Sequence, residues 1–218
     1  MTQDILTIGR RGLLGLAVTA LVVANPWRPA SAEATDDAPP KVAIQELNDA
    51  LLAAMKAGAR TPFADRYRAL DPVVTQVFDL DAVLAASIGL SWTTLSSAQK
   101  TELATAFRRY TVSSYVANFD TYNGQSFQVL PTVRTVGNGE VVVQTRMLRT
   151  DDSPLKLDYV MRRGPAGWQV VDVLTDGSIS RVAVQRSDFR ELLSGGGVHA
   201  LTAGLARKVG NLSGGMEG

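Results

Sequence analysis

Apolar residues recur along this chain with two periods, one helical and one extended. Ile44, Leu47, Leu51 and Met55 fall three or four apart, with Gly58 placed to stop the helix they predict. Pro62 can open a second helix through Tyr67 and Leu70. Pro72 is expected to interrupt or restart it, because proline has no N–H and its ring crowds the preceding turn. Asp79 to Ile88 reads as a short third helix ending at Gly89. Ser96-Ser97-Ala98-Gln99 is a capping box, with serine at the N-cap and glutamine three residues on. The helix it opens carries Leu103, Phe107, Tyr110, Ser114 and Ala117 on one stripe, widened by Tyr115 and Phe119. From Gly124 onward the period drops to two. Phe127, Val129, Val133 and Thr135 alternate, then Val141, Val143, Thr145 and Met147, then Leu155, Leu157, Tyr159 and Met161. Pro131 implies an edge strand or a bulge in the first of these runs. Turns are expected at Gly137-Asn138-Gly139, Asp151-Asp152-Ser153-Pro154 and Gly164-Pro165-Ala166-Gly167, the last leading into a strand from Trp168. Ser187 to Ser194 and Val198 to Val209 read as closing helices.

Strands joined by short turns make an antiparallel meander. Helices come before and after the meander and not between its strands. The expected fold class is therefore α+β, with helices packed on one face of a curved four- to five-stranded antiparallel sheet.

The first residues follow a different logic. Arg10-Arg11 precede the apolar run Gly12 to Ala24, and Ala30-Ser31-Ala32 offers a small-residue cleavage site. That is the secretory pattern, and the apolar run is short for a membrane span. The paired arginines raise the twin-arginine route beside the general one. Residues 1–32 are expected to be a signal peptide and 33–41 a flexible, proline-containing tether. A single domain is expected over 42–209, with a frayed glycine-rich tail at 210–218. Without Arg10, Arg11, Arg28 and Asp4 the chain holds 19 basic and 20 acidic residues. A balance near zero gives no electrostatic case for nucleic acid. There is no cysteine and one histidine, His199, which removes disulfides, thiol chemistry and the usual histidine-based triads and zinc sites. No metal site, no cofactor and no catalytic residue is expected.

Several segments then occur in a telling order. Phe78-Asp79 is followed by Ile88 to Leu95, by Gln99, and by Phe107-Arg108-Arg109-Tyr110 with Tyr115. Asn118 to Phe127, Leu157 to Met161, and Gly167-Trp168 through Ile179 complete the series. Taken together, the chain resembles the MlaC/toluene-tolerance family of periplasmic lipid-binding proteins. At 107–127 and 176–180 it resembles the hopanoid-associated HpnM branch more closely, since Asp176-Gly177-Ser178-Ile179-Ser180 replaces the family's usual bend. The resemblance implies an apolar cavity between sheet and helices and a lipid ligand, either phospholipid or hopanoid. It also implies two partners: an inner-membrane ABC lipid transporter and an outer-membrane lipid-exchange complex. The residues themselves permit such a cavity. Candidate lipid-binding positions are Phe107, Tyr110 and Tyr115 on the long helix, and Val143, Met147, Leu157, Tyr159, Met161, Val171 and Val173 on the strands. By resemblance, Ile179 joins them at the bend. A second reading is a ketosteroid-isomerase-like enzyme with Asp172 as base and Tyr159 as oxyanion donor, unless an arginine such as Arg162 or Arg181 pairs with Asp172. A third is a ligand-free scaffold for a transporter.

Overall fold

In the computed structural model, the alternating stretch builds one antiparallel sheet in the order β1-β2-β3-β4-β5. The strands are β1 Ser126–Thr135, β2 Glu140–Leu148, β3 Leu155–Gly164, β4 Gly167–Thr175 and β5 Ile179–Ser180. The structure describes residues 39–150 and 153–214. The expected signal peptide, most of the tether, Asp151-Asp152 and the last four residues lie outside the described residues. Strand register sets Val143, Tyr159 and Val173 side by side, and next to them Thr145, Leu157 and Thr175. Such rows place side chains on one face of the pleat. The β1–β2 register shifts between Val129 and Val133, around Pro131, as the edge-or-bulge reading required. A second shift leaves Val171 without a residue opposite it on β3. Bulges of this kind bend a strand and increase its twist, and the sheet is curved and unclosed.

The outer edge of β4 is covered in two places. Ser180 and Ile179 of β5 pair with Leu174 and Thr175. Further back, the Asp79 amide donates to the Val170 carbonyl at 3.1 Å, and the Gln169 side chain donates to the Gln76 carbonyl at 3.1 Å. Covering the edge in this way removes a template for pairing with other chains.

Among the described residues, five α-helices flank the sheet: α1 Pro40–Ala57, α2 Phe63–Val77, α3 Leu80–Ile88, α4 Ser97–Asn118 and α5 Arg181–Leu212. None of the described helices is long and apolar enough to cross a membrane. In α1 the stripe Ile44, Leu47, Leu51 and Met55 is buried as its spacing predicts, and Gly58 ends the helix at φ 70. Pro72 does not break α2. Leu70, Val74 and Val77 are buried on either side of it, and this packing offsets a proline penalty of about 3 kcal/mol. Asp79 caps α3 by accepting from the Ala82 amide at 2.9 Å. A 3-10 helix, Gly89–Thr94, leads to the capping box of α4. There the Ser96 amide donates to Gln99 at 2.9 Å and the Gln99 amide donates to Ser96 Oγ at 3.3 Å.

The C-terminal helix differs from expectation. It starts at Arg181 instead of Ser187, because Ser180 Oγ accepts from the Ala183 amide at 2.9 Å and so caps it earlier. It bends at Gly196 and Gly197, where the helical backbone is interrupted and Gly197 has φ 64. The expected joint between two helices is thus present as a kink. The helix continues to Leu212, past Val209.

Two hydrophobic cores result among the described residues. The first joins α1, α2 and the C-terminal half of α4 to the sheet, through residues such as Leu47, Leu51, Val74, Val116, Val143, Tyr159 and Met161. The second joins α3, α5 and the N-terminal half of α4, through Leu84, Leu103, Phe107, Phe189 and Leu201. One helix therefore belongs to both. Ser96→Ala should lower stability by about 1 kcal/mol, the usual worth of an N-cap. Urea unfolding should show this as a lower midpoint at unchanged slope, and an unchanged midpoint would mean that the cap contributes nothing.

Candidate functional site

A cavity of about 390 Å³ lies where the two cores meet. Phe107, Tyr110, Thr111, Ser114, Tyr115 and Asn118 of α4 recur at helical spacing and turn one face to it. Leu155, Leu157 and Tyr159 of β3 alternate and line the opposite wall, beside Met147 of β2 and Val173 and Thr175 of β4. Phe78, Leu80 and Val83, around the α2–α3 junction, close one end. Arg181, Val182 and Gln185 of the first turns of α5 close another. Asn118 and Arg181 are exposed, so the lining reaches solvent there. Aromatic rings stiffen one wall: Tyr115 stacks on Phe119 with centroids 5.9 Å apart and meets Phe78 at 5.6 Å.

The polar groups of the lining are unevenly satisfied. Ser114 Oγ donates back to the Tyr110 carbonyl at 2.8 Å. Tyr159 is 0 % exposed, and neither its hydroxyl nor Thr111 Oγ1 has a hydrogen-bond partner among the described residues. Burial pushes the Tyr159 hydroxyl above its ordinary range. It pushes Tyr115 well up too, helped by neighbouring Tyr159 and opposed by the positive charge of Arg181.

Asp172 is differently placed. Its carboxylate accepts from Ser180 Oγ at 2.5 Å, from the Val182 amide at 3.1 Å and from the Val173 amide at 2.7 Å. It is thus part of the cap of α5, where a carboxylate also suits the helix dipole. The expected arginine partner is not found among the described residues: Arg162 pairs with Glu140 at 2.7 Å instead. A carboxylate occupied by three donors is a poor general base. No group of His, Cys, Asp or Glu among the described residues could hold a metal ion.

Of the candidate positions read from the sequence, Phe107, Tyr110, Tyr115, Met147, Leu157, Tyr159 and Val173 line the cavity. Val143 and Met161 share the face of Tyr159 but are fully buried within the first core. Val171 sits at the β4 bulge, buried outside the lining. Ile179 is 52 % exposed and lies outside the lining, because β5 pairs at the rim of the sheet and turns this side chain to solvent. Thr111 and Thr175 were missed although simple spacing reaches them, Thr111 one turn from Phe107 and Thr175 two residues from Val173, and Leu155 belongs to an alternation already noted but was not among the candidates. Phe78, Leu80, Val83 and Val182 carry no such signal, since they enter through helix junctions.

The profile of the MlaC protein family matches residues 45–207. The chain belongs to the MlaC family. That match runs from α1 into the second half of α5, so it includes every element that lines the cavity. The fold is similar to that of a phospholipid-binding protein from Ralstonia solanacearum, solved in complex with a phospholipid. The TM-score is 0.69 at 19% identity, over 81% of this chain and 99% of that one.

The buried tyrosines of this MlaC-family cavity set a pH dependence. An unfolded chain loses tyrosine protons above about pH 10, while the folded chain retains them at Tyr159 and Tyr115. The unfolded state then binds fewer protons, so stability is full below about pH 10 and falls as pH rises beyond it. Half a unit above that value the loss is roughly 0.8 kcal/mol per tyrosine. Urea midpoints at about pH 8 and about pH 10.5 should differ accordingly, and Tyr159→Phe should shrink the difference. A difference unaltered by Tyr159→Phe would contradict the assignment.

Proposed function

We propose that this chain is a periplasmic carrier that holds a phospholipid in the cavity between α4 and the sheet. It would move that lipid between inner and outer membranes with an ABC-type lipid transport system and an outer-membrane lipid-exchange complex. The observation that carries this reading is the cavity itself, walled mainly by apolar side chains, in a member of a family whose fold is seen elsewhere with a phospholipid bound. Export fits the charged, apolar and small-residue series of residues 1–32, with cleavage after Ala32. Binding is favoured over catalysis because Asp172, the best candidate base, is held in a helix cap.

The energetics suit a shuttle. Withdrawing two long acyl chains from water is worth roughly 25 kcal/mol, at about 0.8 kcal/mol for each buried CH₂. A bilayer offers nearly the same. A carrier with apolar walls therefore exchanges lipid near thermal neutrality, and docking to a partner that opens the cavity can tip the balance. A hopanoid is the second reading for the cargo, favoured by the likeness of 107–127 and 176–180 to the HpnM branch. Its rigid rings would suit the flat wall of Tyr115 and Phe119.

Native mass spectrometry of the purified protein tests the reading. Lipid mass is expected on the wild type and on Ile179→Glu, whose side chain faces solvent. It should be lost from Leu157→Glu, which sets an unpartnered carboxylate in the cavity wall, while circular dichroism stays unchanged. Wild-type protein that never carries lipid would overturn the carrier reading in favour of the scaffold.

A further inference from the structure

Two hydroxyls of the cavity wall lack partners. Tyr159 Oη and Thr111 Oγ1 are shielded from solvent and bonded to nothing among the described residues. They lie on opposite walls, one on the sheet and one on α4. A buried hydroxyl without a partner destabilises the folded state, whereas phenylalanine at 159 or valine at 111 would keep nearly the same shape without that cost. Both hydroxyls belong to residues of the lining, and the described residues supply neither with a partner.

The surroundings narrow the chemistry of that molecule. Val143, Leu157 and Val173 flank Tyr159 with apolar surface, and its hydroxyl stays protonated. A neutral O–H in such walls pairs with a neutral acceptor. The cationic group of the lining, Arg181, stands where the cavity reaches solvent, which is where a charged headgroup would sit. Between a charged headgroup and its acyl chains, a glycerolipid carries ester carbonyls, which are neutral acceptors.

Building on the carrier reading, we propose that Tyr159, assisted by Thr111, selects lipids with acyl-ester linkages by donating a hydrogen bond to an ester carbonyl inside the cavity. The dialkyl-ether counterpart has the same chains and headgroup but no carbonyl, so it leaves the hydroxyls unpaired. A hydrocarbon triterpenoid without oxygen does the same. One neutral hydrogen bond of this kind corresponds to about three- to tenfold in affinity.

The test uses delipidated mature protein with a fluorescent alkyl probe in the cavity, displaced by diacyl or dialkyl-ether phosphatidylcholine of equal chain length. Wild type should bind the diacyl lipid about three- to tenfold more tightly. Tyr159→Phe should abolish that preference by weakening only the diacyl lipid, while the lipid-free variant unfolds at no lower urea concentration than wild type. Thr111→Val should reduce the preference in the same direction, and it serves if Tyr159→Phe does not fold. Equal affinity of wild type for both lipids, or equal weakening of both by Tyr159→Phe, overturns the ester-selecting role and leaves the carrier reading standing. Failure of both lipids to displace the probe removes the ester-selecting role and the carrier reading together.

Discussion

The curved sheet presents an apolar face that must be covered, and α4 covers part of it while also serving a second core. Its C-terminal half packs Val112 and Val116 into the core over the strands. Its N-terminal half packs Leu103 and Phe107 against α3 and α5. The space that remains at their junction is the cavity, and α4 lines it from Phe107 to Asn118 with the side chains that neither core fully takes up. Its capping box sets where this helix starts, and Arg66 of α2 ties its other end in place by donating to the Val116 carbonyl at 2.9 Å. That bond satisfies one of the carbonyls a helix C-terminus leaves open.

A cavity of this kind is a balance of opposing effects. Filling it with protein would gain packing energy, since voids forfeit contact and larger ones destabilise more. The chain instead keeps aromatic and branched side chains around open space, and two hydroxyls without partners within it. Both features destabilise the empty protein and both are relieved by a suitable ligand. Stability given up in the empty state is what binding restores, so the ligand and the fold are coupled.

Much of this was legible in the sequence, and the parts that were not share a cause. The capping box of α4, the stripe of α1 and the Pro131 irregularity are local, and local chemistry decides them. Alternation identified the face of the sheet carrying Val143, Met147, Leu157, Tyr159 and Met161. It could not say which part of that face the helices press upon, so Val143 and Met161 lie in closed core, Leu157 lines the cavity, and Tyr159 belongs to both. The early start of α5 depends on Asp172 from a different strand, which no window around Ser180 contains. Ile179 was placed by resemblance at a bend whose side-chain direction depends on the pairing of β5. Pro72 was read by its intrinsic preference, and tertiary packing on both sides overrides it.

Photolabelling with a phospholipid that carries a diazirine on its acyl chain tests the account most directly, because it reports where the chain lies without altering the protein. Adducts are expected on α4 between Phe107 and Phe119 and on β3 between Leu155 and Tyr159, the two walls of the cavity. Adducts confined to exposed apolar side chains such as Leu90, with none on α4 or β3, would show that lipid is held on the surface and contradict the account.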